Sequence, residues 1–470
     1  MRPRVALGVL LAGLLAGGMF AAGATPALAR PEAAAKGRTT LTARLAPPVV
    51  TEGEPAAVVA TLSPAQAAAP VNVEQRVGDT WIPVADGTAV PTDAAGRVVV
   101  PLETSVVGSQ TLRISSTASK DRPSAVLKVV SNTVCSPKTP LVDPDATPEA
   151  ICLATRLERW GKAGLMGVGQ ELNMSTYYAD YSDPPQSGHP VTPLTALGGR
   201  RVSVVGFDLM ELNKSKTYQY PFYDQGLAYL VAQAQAGAVL TASWHARNPH
   251  TQAPDSFKDR KSWHQLGDLL KPGTAEATSF WADYDAQLEV LSDLQDQHVA
   301  VVFRPLHEAN GDWFWWGKAD PATYRAVYLK MQRTAWKAGI HNVLWSYSFA
   351  AADRKGIAAP ETMLPRSVDV AGIDSYYPGH QRSQVPSMAG YAAVAARVPR
   401  MTFSEIGPLK DTTPRWQASA VTKAARAAPV RKPLWAMLWV DDTAGKKQIS
   451  SLAGGFTWLD SCPFGFCQVS

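Results

Sequence analysis

His298-Val-Ala-Val-Val-Phe303 runs straight into Arg304-Pro-Leu-His-Glu-Ala-Asn-Gly-Asp-Trp-Phe-Trp-Trp-Gly317, and Asp320-Pro321 follows. The first six residues include four strand formers, while Asp320 reads as a helix N-cap with Pro at the first helical position. Between strand and helix the fourteen residues hold one cation, one imidazole, two carboxylates and three indoles. A strand that stops at a carboxylate and continues into aromatics sets an acid beside surfaces on which a flat ligand stacks. The stretch is therefore one strand–loop–helix unit with chemistry at the strand end.

The same unit recurs through the second part of the chain. Short apolar runs predict strands at 164–169, 201–207, 238–244, 298–304, 342–347, 368–373, 400–404 and 434–440, eight in all. Helical spacing predicts helices at 222–236, 275–297, 321–338, 388–396 and 414–428; in the second of these, Phe280, Tyr284, Leu288, Leu291 and Leu294 form one apolar stripe. Strands alternating with helices argue for parallel pairing, and eight strands fit an α/β fold of the (β/α)8 TIM-barrel type. The connections at 173–199 and 348–367 are the loop-rich ones.

Upstream, residues 37–133 are rich in Val, Thr and Ala in short alternating runs, with Asp79, Gly87, Asp93 and Gly96 as turn punctuation. That pattern predicts a small all-β, Ig-like sandwich. It carries a single tryptophan, Trp81, whereas thirteen of the fourteen lie beyond residue 150. A spacer is thus favoured over a carbohydrate-binding role. Residues 134–150 contain four prolines and read as a linker, leaving 151–470 for the barrel.

Residues 1–29 read as a secretory signal peptide: Arg2 and Arg4, an apolar run from Val5 to Ala22, and a small-x-small site at Ala27-Leu-Ala29. No later run is long enough to cross a bilayer, so the protein is expected to be secreted, extracellular and free of the membrane after export. Removing 1–29 deletes two arginines and no acid, so the formal charge falls from +5 to +3; with no basic block, nucleic acid is not an expected partner. The four cysteines of an exported chain are expected to form two disulfides. Three pairings are open, and the local one, Cys135 with Cys152 and Cys462 with Cys467, is preferred. Nothing in the chain demands more than a monomer.

In such a barrel the site lies at the C-terminal ends of the strands. Those ends carry Gln170 and Glu171, Asp208, His245, His307 and Glu308, Asp374 to Tyr377, Glu405 and Trp439. Glu308 ends the fourth strand and Glu405 the seventh. Cleavage of a glycosidic bond needs two carboxylates, one to protonate the leaving oxygen and one to attack or to activate water. Two strand-end glutamates with tryptophans nearby point to that chemistry.

Over about 155–460 the chain resembles family 26 of the glycoside hydrolases, a clan A group best known for β-mannanases. The motif carrying the resemblance is Arg304-Pro-x-His-Glu-x-x-Gly-x-Trp-x-Trp-Trp-Gly317. Gly169-Gln-Glu171, Ser243-Trp-His245 with Asn248-Pro249, His341-Asn342 with Leu344-Trp345, Asp374-Ser-Tyr376 and Ser404-Glu-Ile-Gly407 follow in the family's order. The resemblance implies Glu308 as acid/base and Glu405 as nucleophile of a retaining mechanism. It also implies His307 beside the acid, Tyr376 near the nucleophile, and His245, Trp313 and Trp439 lining the sugar sites. Ala309 and Ile406 depart from the family's usual residues, which bears on sugar preference rather than on chemistry.

The physical reading runs beside it. Apolar walls from Trp313, Phe314 and Trp315, together with a negative Glu405, are expected to raise the Glu308 pKa. Gln170, Asn310 and Asp312 are candidates for sugar hydroxyls, and either Trp315 or Trp316 is assigned to packing. The expected activity is endo-β-1,4-mannanase on mannan or galactomannan. A lichenase or β-1,3-xylanase of the same family is the alternative, and a non-catalytic polysaccharide-binding protein is the alternative of a different class. No H-E-x-x-H motif occurs, and His245 with His307 lacks a third ligand, so neither metal nor cofactor is expected.

Overall fold

The computed structural model describes residues 38–131, 135–172, 193–212, 223–253, 256–260, 265–378, 385–409, 415–442 and 445–470. The secretory signal expected at 1–29 lies outside them.

Alternating strands build the N-terminal region. β1 (Thr40–Ala46), β3 (Ala56–Ser63) and β7 (Arg97–Leu102) form one antiparallel sheet. β2 (Val49–Thr51), β4 (Pro70–Val77), β5 (Thr80–Pro83), β8 (Gly108–Ser116) and β9 (Ser124–Val130) form a second, with β6 (Val90–Pro91) paired to β4. The period-two pattern turns Leu41, Val58, Ala60, Val71, Val73, Leu112, Ile114, Leu127 and Val129 into one core shared by both sheets. Trp81 on β5 is half-buried, with the Arg113 guanidinium 4.5 Å from its ring centroid.

Past Cys135, bonded to Cys152, the chain enters α1 (Pro148–Lys162). This helix starts inside the segment whose composition reads as linker. Its signals are legible afterwards: the Thr147 side chain accepts from the Ala150 N–H, and Pro148 stands in the first turn. Its apolar face has a specific use. Ala150, Leu153, Ala154, Leu157 and Trp160 share one cluster with Val204, Val239, Val302, Leu344, Val370 and Met437, inward residues from six barrel strands. α1 therefore plugs the N-terminal mouth of the barrel, and each such fully buried aliphatic side chain stabilises by about 1.5–3 kcal/mol.

The barrel strands are β10 (Leu165–Glu171), β11 (Val204–Asp208), β12 (Val239–Trp244), β13 (Val301–Pro305), β14 (Val343–Ala350), β15 (Val370–Pro378), β16 (Met401–Leu409) and β17 (Trp435–Leu438). Each is parallel to the next, and β10 pairs with both β11 and β17, so the sheet closes. All eight expected strands are present, and β14, β15 and β16 run several residues beyond their expected ends. Strands of a closed parallel barrel are covered on both faces, which is why they read as continuous apolar runs. A last strand, β18 (Phe466–Gln468), lies antiparallel on β10. Cys462–Cys467 closes the loop that delivers it, so both local pairings are the ones found.

Helices α2 (Tyr223–Gln235), α3 (Ala275–Asp296), α4 (Pro321–Lys337), α5 (Pro360–Met363), α6 (Tyr391–Ala395) and α7 (Ser419–Ala427) fill connections. The stripe Phe280, Tyr284, Leu288, Leu291 and Leu294 on α3 is buried, and the Asp320 carboxylate caps α4 by accepting from the Thr323 N–H at 2.9 Å. Among the described residues, no helix is long and apolar enough to cross a membrane.

The two sheets of the N-terminal region meet the barrel at its N-terminal side. Arg156 on α1 pairs with Glu54 at 2.6 Å, and Arg159 donates to the Thr51 hydroxyl at 2.6 Å. Pro55 packs onto Gly237, at φ +94°, where a Cβ would stand 2.6 Å from the proline ring. The C-terminal ends of the barrel strands lie at the opposite end.

Candidate active site

At that opposite end, the strand termini bring together residues far apart in sequence. β13 supplies Arg304 and, just beyond, His307 and Glu308; β15 supplies Asp374 and Tyr376; β16 supplies Glu405. One carboxylate oxygen from each of Glu308, Asp374 and Glu405 lies within 4.8 Å of the other two, and all three residues are buried.

Three carboxyl groups this close need compensation. Arg304 provides it: Nη2 lies 2.5 Å from Glu405 Oε1 and Nη1 lies 3.7 Å from Asp374 Oδ2. Burial alone would lower the Arg304 pKa, but Glu405 and Asp374 raise it, so the guanidinium stays charged. Burial and Glu405 together push Asp374 upward. The Ser348 hydroxyl lies 2.8 and 2.7 Å from the two Asp374 oxygens. Asp374 is thus a support for Arg304. The guanidinium fills the electrostatic role that a metal ion would fill among clustered carboxylates.

Each of the two glutamates also receives one aromatic donor. The Tyr376 hydroxyl donates to Glu405 Oε2 at 2.6 Å. The Trp313 indole N–H donates to Glu308 Oε2 at 2.5 Å. Burial and the negative Glu405 raise the Glu308 pKa to about 8, with the Trp313 hydrogen bond and the charge of Arg304 acting the other way. At neutral pH Glu308 is therefore mostly protonated.

The backbone that presents Glu308 is held in an uncommon conformation. Leu306 and Glu308 have φ of +47° and +53°, the left-handed region that side chains with a Cβ seldom occupy. The Glu308 N–H donates to Ser348 O at 2.9 Å and its carbonyl accepts from Gly311 N–H at 2.8 Å, which fixes the turn. Gly311 is required by what lies over it: an added Cβ would stand 2.3 Å from the Trp313 ring.

His245, Trp439 and His307 form the neighbouring wall. The Asp208 carboxylate takes hydrogen bonds from the Ser243 hydroxyl at 2.6 Å and from the His245 backbone N–H at 3.2 Å, and its Oδ2 lies 2.6 Å from His245 Nδ1. Burial would raise Asp208, but the facing His245 imidazole and these bonds hold it at about 2. The His245 ring meets His307 edge-on at 4.6 Å, Phe257 at 4.8 Å and Trp439 at 6.0 Å between centroids. Burial keeps His307 well below its ordinary pKa, hence neutral. Trp439, half-buried, lies with its ring 5.7 Å from the Arg304 guanidinium carbon.

Not every candidate joins this cluster. Gln170 is wholly buried; its amide donates to the carbonyls of Glu171, Leu438 and Trp439 and accepts from Ile449 N–H. It braces the β10 and β17 ends and has no polar group left for a sugar. Asn310 likewise bonds Ala350 and Ala358. Trp315 and Trp316 are both buried, donating to Ala246 O and His307 O, so both are packing where one was expected. Ser348, Arg354 and Lys447 carried no signal. Arg354 lies 5.3 Å from the Trp313 ring centroid, and Lys447 5.3 Å from that of Tyr376. Their loops have no periodicity to place them.

Comparison with known proteins places the chain in a family. Residues 174–457 match the model of glycosyl hydrolase family 26. A mannan endo-1,4-beta-mannosidase of Bacillus subtilis is 30% identical over 189 residues, 38% of this chain and 50% of that protein. One from Thermothelomyces thermophilus is 27% identical over 294 residues, 60% of this chain and 54% of that protein. The chain thus spans about half the length of these curated relatives. In fold, it is similar to a Bacillus subtilis mannanase structure with TM-score 0.53 at 22% identity, covering 70% of this chain and 95% of that one. A modular endo-beta-1,4-mannanase from Cellulomonas fimi gives TM-score 0.54 at 22% identity, covering 69% and 76%.

Proposed function

The chain belongs to glycosyl hydrolase family 26, and from that premise we propose that it is an endo-β-1,4-mannanase acting on mannan or galactomannan by double displacement with retention. The observation that carries the reading is the approach of Glu308 and Glu405 oxygens to within 4.8 Å. A retaining pair stands about 5–5.5 Å apart, whereas an inverting pair needs about 6.5–9.5 Å to admit a water.

In the first step Glu308, protonated, gives its proton to the glycosidic oxygen while Glu405 attacks the anomeric carbon. The C–O bond to the leaving sugar breaks and a glycosyl ester on Glu405 forms. Arg304 and Tyr376 hold Glu405 in place for this attack. Ester formation removes the negative charge that helps raise Glu308, so Glu308 now ionises readily. In the second step it takes a proton from water, the water oxygen bonds to the anomeric carbon, and Glu405 leaves as carboxylate. His245, His307, Trp313 and Trp439 line the sugar sites in this reading. Tyr376 contributes by its hydroxyl.

The relatives' names favour mannan. The protein is proposed to be exported after loss of 1–29 and to work as an extracellular monomer, with residues 37–133 as a spacer seated away from the cleft. Reducing sugar released from galactomannan, lichenan and β-1,3-xylan tests the substrate. Galactomannan is expected to be cleaved fastest, with hydrolysis abolished in Glu405→Ala and severely reduced in Glu308→Ala. Preference for lichenan or β-1,3-xylan would move the reading to a sister activity, and tight binding without cleavage would make the chain a binding protein.

A further inference from the structure

The connection from β14 to α5 is laced to the loop that carries Trp313. Asn310 Nδ2 donates to Ala350 O at 2.8 Å at the start of that connection and to Ala358 O at 3.1 Å near its end. The Ala350 N–H returns a bond to Asn310 Oδ1 at 2.9 Å, and the Ala358 N–H one to Asn310 O at 2.9 Å. With both ends pinned to one residue, the exposed Arg354 between them is delivered over Trp313, its guanidinium carbon 5.3 Å from the ring centroid. That is within the range where a cation is drawn to an indole face. The same indole packs over Gly311 and donates its N–H to Glu308.

We propose that Arg354 is a positioning residue for proton transfer: its guanidinium clamps the Trp313 indole so that the N–H stays on Glu308, and it adds one positive charge beside that carboxyl. This rests on Glu308 being the acid. Among the described residues, the charged and titratable groups acting on Glu308 and its acidic neighbours include Glu405 on β16, Asp374 and Tyr376 on β15, Arg304 on β13, and Arg354. Burial and the acidic neighbours favour the neutral carboxyl, while Arg304, Trp313 and Arg354 favour the ionised one. Of these two arginines, Arg304 is buried against Glu405 and Asp374, whereas Arg354 is exposed.

The two parts of the role separate by substitution. Arg354→Met keeps an unbranched chain on the ring but removes the charge; Arg354→Lys keeps the charge; Arg354→Ala removes both. The measurement is kcat/KM against pH on galactomannan and on 2,4-dinitrophenyl β-mannobioside, whose leaving group departs without a proton. With galactomannan, Arg354→Ala and Arg354→Met are expected to move the alkaline limb upward by about half a unit at low salt. The displacement is expected to vanish near 1 M salt, where charges are screened within about 3 Å. Arg354→Lys is expected to leave the limb in place. Arg354→Ala is also expected to lower the galactomannan plateau several-fold while sparing the dinitrophenyl substrate. A limb that stays put in Arg354→Ala, or equal losses on both substrates, overturns the proposal. Glu308→Ala keeps the two ideas apart: full galactomannan hydrolysis there overturns the acid assignment itself, whatever Arg354 does.

Discussion

Arg304 and Glu405 meet at 2.5 Å in a part of the barrel where both side chains are buried. Arg304 also stands 3.7 Å from Asp374, so one cation serves two acids. Arg304→Met removes the cation and leaves carboxylates buried without compensation. Breaking a buried pair from one side costs about 3–5 kcal/mol. Denaturant unfolding is expected to show a loss of that size together with loss of hydrolysis; an unchanged midpoint would mean the pair is solvated in solution.

Glu308 sets the pH dependence. A group that must donate a proton works only while protonated, and burial with the negative Glu405 raises its pKa to about 8. The active fraction therefore stays high through neutral pH and falls about tenfold per unit above that value. A pH profile of kcat/KM, which reports the free enzyme, is expected to show its alkaline limb near pH 8. A limb near the ordinary carboxylic range would contradict the apolar, acid-flanked setting.

Gly311 is expected to be intolerant of any side chain. A Cβ there would stand 2.3–2.6 Å from three Trp313 ring atoms, so Gly311→Ala must push the indole off Glu308. Losing a hydrogen bond to a charged or proton-transferring group costs about 1.5–3 kcal/mol, or roughly 10–100-fold in rate. The check is kcat for the variant, with circular dichroism unchanged; wild-type kcat would place the indole elsewhere in solution.

Cys135–Cys152 spans 17 residues and ties the segment before α1 to the helix that plugs the barrel mouth. A loop of that length is worth about 3 kcal/mol by the chain-entropy account. The paired variant Cys135→Ser with Cys152→Ser is expected to unfold at correspondingly lower denaturant while keeping its activity, since the cleft lies at the other end of the barrel.

Much of the barrel is legible in local pattern. The run before Arg304, the Asp320-Pro321 cap and the α3 stripe carry periodicity that a neighbouring chain segment need not supply. Strand ends were less legible: β14, β15 and β16 extend past the expected points because their pairing partners also extend. α1 is not legible locally because Pro148 and its place after a proline-rich connector outweigh the Thr147 cap. Its apolar face makes sense only against six strands that come later.

The sequence by itself determined the strand–helix alternation, the two glutamates at strand ends and the family to which they belong, because period, capping and motif spacing are properties of adjacent residues. Only the tertiary structure decided what each polar side chain is spent on. Gln170 and Asn310 satisfy backbone groups, Asp374 supports Arg304, and Arg354 comes to rest on Trp313. A buried donor or acceptor must find a partner wherever the fold places one, and that partner is often hundreds of residues away.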